Sequence, residues 1–408
     1  MTTCWRRAGI VVVALLGSLA ASLPVAAQNK PIRVGVTTAL QVQVGRDTVD
    51  AMQMAIDEVN AKGGVLGRKI EMVVADETEN PETAINAIKK LTGDEKVDVL
   101  IGGYTSGVTL AQLPHISRSK TIYLGIGASS PAITQRVKQD YENYRYIFRV
   151  WPQNSIYIAR DLVGFIGDVV VGELGYKKIA IVGENAKWAQ DIVPVLKKGA
   201  TDAGADVRLT ELFDTQTTDF SPLLAKVRES GAQFILHLLS HASSDVFVKQ
   251  WYDARTPIPI GGVDVKSQDA DFFTRVGGKA VSQMPVITTL RAAITPKTIP
   301  FWDAFVKKTG RAGPVYTAFG AYSALNIYVE AVQRAKTTDA DALIKELEKT
   351  DYLGPGGRLQ FDDSHDIKTG PGLTQLLVFQ WQENGQRVIV WPKDKRDGKV
   401  IMPSWLQK

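Results

Sequence analysis

Residues 31–75, PIRVGVTTALQVQVGRDTVDAMQMAIDEVNAKGGVLGRKIEMVVA, decide the fold. The run 32–36 is short, apolar and rich in valine and isoleucine, which predicts a buried strand. Residues 47–61 place Val49, Met52, Ile56 and Val59 on one stripe at helical spacing. Gly63, Gly64 and Gly67 then turn the chain, since glycine readily takes the left-handed conformation that ends a helix. The segment 69–75 supplies the next strand. Strand, helix and strand in this order are the unit of a parallel sheet with helices packed on its faces.

The unit recurs. Helix 81–91, strand 97–101, helix 105–118 and strand 121–124 complete one doubly wound set. A second set opens after Trp151 and Pro152, with helix 155–171, strand 178–182, helix 188–203, strand 207–213, helix 220–229, strand 233–238, helix 244–254 and strand 258–261. Beyond Val286 the pattern gives helices 299–308, 315–335 and 340–349, then strands 359–361, 375–381 and 387–390. The tail 391–408, with Pro392, Gly398, Pro403 and several charges, reads as an extended strap on the surface. The expected fold class is α/β: two doubly wound parallel-sheet lobes joined by three crossover segments. The expected boundaries are 28–150 plus 286–374 for the first lobe and 151–285 plus 375–408 for the second.

The N-terminus sets the compartment. Arg6 and Arg7 lead into the uncharged run 8–23, which closes with Val25, Ala26 and Ala27. That is the pattern of a cleavable secretory signal over 1–27, so the mature chain is expected to begin near Gln28. Gly17 and Pro24 interrupt the run, which disfavours a membrane anchor. The single cysteine, Cys4, precedes the apolar run and is not placed to carry a lipid. Its loss with the signal excludes disulfides, thiolate zinc sites and cysteine nucleophiles together. The remaining chain of about 380 residues exceeds the size of one ordinary core, which again favours two lobes. The formal charge of +5 falls to about +3 without Arg6 and Arg7, and the basic residues lie in mixed patches, so no nucleic-acid partner is expected.

Ligands of doubly wound sheets bind beyond the carboxyl ends of the strands, and four loops there stand out. Gly102, Gly103, Tyr104, Thr105, Ser106 and Gly107 lead directly into a helix, whose free amides, with the hydroxyls of Thr105 and Ser106, suit a carboxylate. A plain N-cap explains the same residues. The loop 125–131, GIGASSP, imitates the start of a dinucleotide fingerprint, but Ser130 replaces the third glycine and Pro131 follows. It fits better as a hydroxyl-bearing loop facing the first, with Ala128 and Ser129 at its centre. In 184–191, Trp188 suits the wall of an apolar pocket, or else the edge of the core. In 261–266, Asp264 is placed to pair with a ligand ammonium, or else is a solvated turn residue.

Enzyme signatures are poor. The segment GYTSG at 103–107 has its serine one position late for a nucleophile elbow. The four histidines, His115, His237, His241 and His365, form no metal-binding helix pair, and neither cofactor nor metal is expected. Asp362, Asp363, His365 and Asp366 read as a charged turn.

The pieces 32–36, 51–67 (AMQMAIDEVNAKGGVLG), 76–81, 99–103, 125–135 (GIGASSPAITQ), 148–150, 219–224, 316–322 and 388–392 run in order over nearly the whole mature chain. In them the sequence resembles the leucine/isoleucine/valine-binding family of periplasmic binding proteins, the type I solute receptors of ABC importers. The resemblance implies a periplasmic, non-enzymatic protein whose two lobes close on a small ligand, most simply a branched-chain amino acid, and dock on an inner-membrane ABC permease. Amides, urea and aromatic or aliphatic carboxylates are bound by relatives on the same scaffold. The resemblance places Ser106, Ala128 and Ser129 at the ligand's carboxylate and amino groups, Trp188 at an aromatic position and Asp264 at the ammonium. His241 lies where a tyrosine is frequent. Thr78 and Thr105 stand near positions that a disulfide joins in many relatives. A role presenting ligand to a kinase or chemoreceptor shares every one of these features, whereas a secreted hydrolase would need a nucleophile and base that the sequence lacks.

Overall fold

The computed structural model describes residues 1–3, 30–241 and 243–406. The expected signal and the mature start at Gln28 fall largely on 4–29 and lie outside the described residues. Strands β1 (Ile32–Thr38), β2 (Ile70–Asp76), β3 (Val99–Gly102), β4 (Ile122–Gly125) and β5 (Ile147–Arg149) form a parallel sheet in the order β2-β1-β3-β4-β5. Because neighbouring side chains on a strand face opposite ways, strands β3, β4 and β5 each feed two cores. Val99, Ile101, Ile122, Leu124 and Phe148 pack with helices Gln43–Ala61, Thr298–Thr309 and Tyr316–Ala335. Leu100, Tyr123 and Ile147 pack on the opposite face with Ile88, Leu113, Ile116 and Val137. Truncating the fully buried Leu100 to alanine would cost about 2–5 kcal/mol.

The second sheet repeats this logic. Strands β6 (Lys178–Glu184), β7 (Asp206–Phe213), β8 (Phe234–Leu239), β9 (Ile260–Asp264) and β10 (Met284–Ile287) are parallel. On β6, Ile179 and Ile181 enter one core while Ala180 and Val182 enter the other. The sheet is not wholly parallel. After a small separate hairpin, β11 (Tyr352–Gly354) with β12 (Gly357–Leu359), strands β13 (Leu377–Trp381) and β14 (Arg387–Trp391) join antiparallel, giving the order β14-β13-β10-β9-β8-β6-β7.

The chain passes between the sheets three times: after β5, after β10, and before β13. Three details depart from the sequence reading. Val286 and Ile287 pair with β13 inside the second sheet, so the first lobe resumes after Ile287 and not at Val286. The strand expected at 359–361 belongs to neither sheet. Helix Gln43–Ala61 begins before Asp47, because buried Asp47 is not a cap but accepts the Val315 N–H at 2.9 Å, tying this helix to Tyr316–Ala335. The tail is pinned to the second sheet by paired bonds between the Gln380 amide and the Ile401 backbone, at 2.9 and 2.8 Å. Among the described residues no helix is long and apolar enough to cross a membrane.

Candidate functional site

The carboxyl ends of both sheets face one cavity of about 320 Å³. From the first sheet come the loop after β3 and the loop after β4. They approach so closely that a β-carbon on Gly127 would land on the carbonyl oxygen of Gly103, and Gly103 itself has φ +81°. Only glycine fits both constraints. Ser106 opens helix Ser106–Ser119 and lines the cavity, as does Ser129. The Ser106 hydroxyl accepts the Ser130 N–H at 3.1 Å. Thr105 occupies the N-cap position but makes no capping bond, and the helix begins at Ser106 itself.

Ala128 is the member of this loop that the structure withholds from the cavity. It packs into the core, and its carbonyl accepts from Arg149 Nη1. Arg149 is the loop's buttress. Its other terminal nitrogen donates to Ser130 O at 2.5 Å, and its Nε lies 2.9 Å from Asp366 Oδ1 in an ion pair buried on both sides. Asp366 is therefore not a solvated turn residue. Its second oxygen accepts from Thr134 at 2.7 Å and from Asn154 at 2.9 Å. His365 beside it stacks on Phe148 with ring centres 3.9 Å apart.

From the second sheet, Trp188 lines the cavity at the start of helix Lys187–Asp202 while also packing into the core. Its indole N–H donates to Ser240 Oγ at 3.0 Å, and that hydroxyl in turn donates to Glu184 Oε2 at 2.8 Å. Glu184, fully buried at the end of β6, organises the whole loop. It also accepts the backbone N–H groups of Ser240 and His241, at 2.9 and 2.8 Å, the Ser243 hydroxyl at 2.8 Å, and His241 Nδ1 at 2.7 Å. Burial pushes the Glu184 carboxyl up, but the hydrogen bonds and charge of His241 outweigh it and hold the group below its usual range. Burial likewise opposes the charged His241 imidazole, and Glu184 outweighs it, raising that pKa. His241 lines the cavity with its Nε2 3.9 Å from Glu79 Oε1 of the first lobe.

Asp264 does not reach the ligand space. It is fully buried and does not line the cavity. Its Oδ1 accepts from Ser244 Oγ at 2.5 Å and from the Lys266 and Ser267 amides at 3.1 and 3.2 Å, and its Oδ2 from Gln283 at 2.7 Å. Burial raises its pKa to about 6. It fixes the loop after β9 and is closed off from the cavity, so the ammonium contact expected of it is not available there.

Among the lining residues that the sequence reading did not single out for a role are Glu79, Tyr104, Lys187 and Tyr316. Tyr104 is placed by Glu77, a fully buried carboxylate that accepts the Tyr104 N–H at 2.8 Å and whose pKa burial raises to about 7. Tyr316, the first residue of helix Tyr316–Ala335, donates to Gly127 O at 3.2 Å. Both tyrosines begin or follow elements recognisable in sequence, but nothing in the sequence says that these elements meet. Lys187 is engaged by Asp191, which also accepts the Ser130 hydroxyl of the first lobe at 2.6 Å. With Val263, Val265, Val286 and Leu376, the aromatics make a largely apolar chamber whose polar groups gather at a few points. No group of three metal-ligating side chains occurs among the described residues.

Comparison with known proteins agrees with this arrangement. Residues 31–386 match the family model described as "Periplasmic binding protein". The leucine-, isoleucine-, valine-, threonine- and alanine-binding protein of Pseudomonas aeruginosa is 25% identical over 83% of this chain and 85% of its own. Leu/Ile/Val-binding protein homolog 2 of Brucella abortus is 25% identical over 86% of this chain and 91% of its own. In fold, the chain is similar to the branched-chain amino acid transporter substrate-binding protein of Streptococcus pneumoniae in complex with isoleucine. That likeness has a TM-score of 0.77 at 21% identity, covering 89% of this chain and 100% of the other. An ABC transporter solute-binding protein of R. palustris in complex with 4-hydroxybenzoate gives 0.76 at 20% identity, over 88% and 95%.

Proposed function

The chain belongs to the periplasmic binding protein family, a family of binding proteins and not of enzymes, and from that premise we propose that it is the solute receptor of an ABC importer. It works in the periplasm, closes on a small organic acid with an apolar body and delivers it to an inner-membrane permease. One closing body is the first sheet with the helices of 298–347, and the other is the second sheet. Ligand touches both only when they are together, so it shifts the population toward the closed form.

The observation that carries the carboxylate is Ser106. Its oxygen already accepts from Ser130 N–H, so its proton remains to be donated, and no acceptor for it is present among the described residues. A carboxylate between Ser106 and Ser129, at the start of helix Ser106–Ser119, would take it. The apolar chamber suits a hydrocarbon or aromatic body, the kind of ligand in both solved relatives.

A second reading, an amino acid of branched-chain type, is favoured by Glu79, whose carboxylate lines the cavity where Asp264 does not. Thermal shift on the purified protein, refolded to strip carried ligand, separates these readings. The panel is amino acids, their deaminated acids, aromatic carboxylates, amides and urea. Shifts with acids lacking an ammonium support the first reading, and shifts with amino acids alone support the second. Shifts with amides or urea only, or with nothing, overturn both.

A further inference from the structure

Two buried polar atoms of the cleft have no partner among the described residues: Thr288 Oγ1 and Gln268 Oε1. Both side chains line the cavity, and both residues are more than nine-tenths buried, at 8% and 7% exposure. A buried hydroxyl or amide left unpaired forfeits its hydration without return, so such atoms persist where something else completes them. Both follow the ends of adjacent strands. Strands β9 and β10 pair with Val263 opposite Val286, and both valines line the cavity. The next residues on the same faces are Val265 and Thr288, and the short turn Lys266–Gln268 follows at once. Both polar atoms thus lie just past the carboxyl ends of β9 and β10, whereas Ser106 and Ser129 follow β3 and β4 of the first sheet.

We propose that the ligand carries, besides its carboxylate, an uncharged polar group, a hydroxyl or a primary amide, which Thr288 and Gln268 hold. This rests on the carboxylate reading above and deepens it. A threonine hydroxyl and a glutamine amide each both donate and accept, so a hydroxyl or amide satisfies them in either sense. A methyl group in the same place would leave both atoms orphaned as the lobes close. A charged group there would be desolvated without a free counter-charge, because neither acid of this stretch lines the cavity: Asp264 is fully buried and hydrogen-bonded, and Asp269 is paired with Arg275. The cleft thus selects hydroxy or amide acids over hydrocarbon acids of the same shape.

The test is isothermal titration of the exported protein, stripped of carried ligand, with three pairs of nearly equal shape: valine and threonine, leucine and asparagine, benzoate and 4-hydroxybenzoate. The polar member of at least one pair is expected to bind about tenfold tighter or more. Thr288→Val and Gln268→Leu should each erode that ratio, with melting curves confirming that both variants fold. Equal affinity within every pair, or a ratio that neither substitution changes, overturns the proposal while the carboxylate reading stands. Failure of every carboxylate in all pairs overturns both.

Discussion

The phenolic oxygen of Tyr104, on the loop after β3, lies 3.0 Å from the backbone oxygen of Ser240, on the loop after β8. A side chain from a loop of one sheet thus bonds the main chain of a loop of the other, and any separation of the two sheets would break it. Ser130 and Asp191 make a second such bond.

Removing the first bond should therefore weaken capture without damaging either lobe. Tyr104→Phe keeps the ring in the cavity wall and loses about 0.5–1.5 kcal/mol of closed-state stability, a two- to tenfold rise in Kd. Titration calorimetry with the ligand found by screening measures this, and an unchanged Kd would show that the contact does not help hold the lobes together.

Asp264→Ala should act on stability and not on recognition. It orphans the donors of Ser244, Lys266, Ser267 and Gln283 at a fully buried position, for a loss of about 2–4 kcal/mol in denaturant unfolding. Kd at a temperature where the variant is folded should stay within about threefold of the parent. Selective loss of affinity for amino acids, with deaminated acids unaffected, would restore an ammonium role to this residue.

The His241–Glu184 pair gives stability a pH dependence of definite sign. The folded pKa of His241 is raised, so its contribution is complete below the free imidazole value of about 6.5 and fades as pH rises through the raised value. Glu184 is held low, so the pair fades again in acid only as pH falls through that lowered value. Neutral, buried His237, pushed down to about 4 by burial, costs stability between about 6.5 and 4 and leaves the alkaline side unaffected. Melting temperatures followed from pH 6 to pH 9 should fall more steeply for the parent than for His241→Gln. Parallel curves would mean that the imidazole is not charged in the folded protein.

Arg149→Met tests the support of the binding loop. It strands Asp366 and frees the carbonyls of Ala128 and Ser130, and breaking a buried pair in this way costs about 3–5 kcal/mol. Because those carbonyls fix the loop carrying Ser129, ligand affinity should fall as well. A variant with lowered melting temperature and intact Kd would show that the loop holds its shape unaided.

The sheets were legible because their signal is local. Strand 32–36 and helix 315–335 emerge within a residue or two as Ile32–Thr38 and Tyr316–Ala335, since burial on both faces leaves continuous apolar runs and helical stripes. The short β10 was missed because Met284–Ile287 has only four residues and a proline, and its place is secured by β9 and β13. At the cleft, Ser106, Ser129, Trp188 and His241, all named from the sequence, line the cavity. The sequence could not order depth within a loop. Asp264 closes strand β9 and Glu79 follows β2, and only the convergence of Ser244, Gln283 and two amides decides that the first is buried while the second faces the ligand space.

The way distant segments share each core also governs how a chain delivered from its N-terminus acquires structure. Strands β1 to β5 are complete by Arg149, but one of their faces waits for Thr298–Thr309 and Tyr316–Ala335, which follow the whole of β6 to β10. The second sheet waits longer still, for β13 and β14 near the chain's end. Neither sheet can seal its apolar faces without these late segments, so both should become stable only once almost the whole chain is available. A chain cut at residue 290 should accordingly be degraded by trace protease throughout its length, and a resistant fragment spanning 30–149 would refute this.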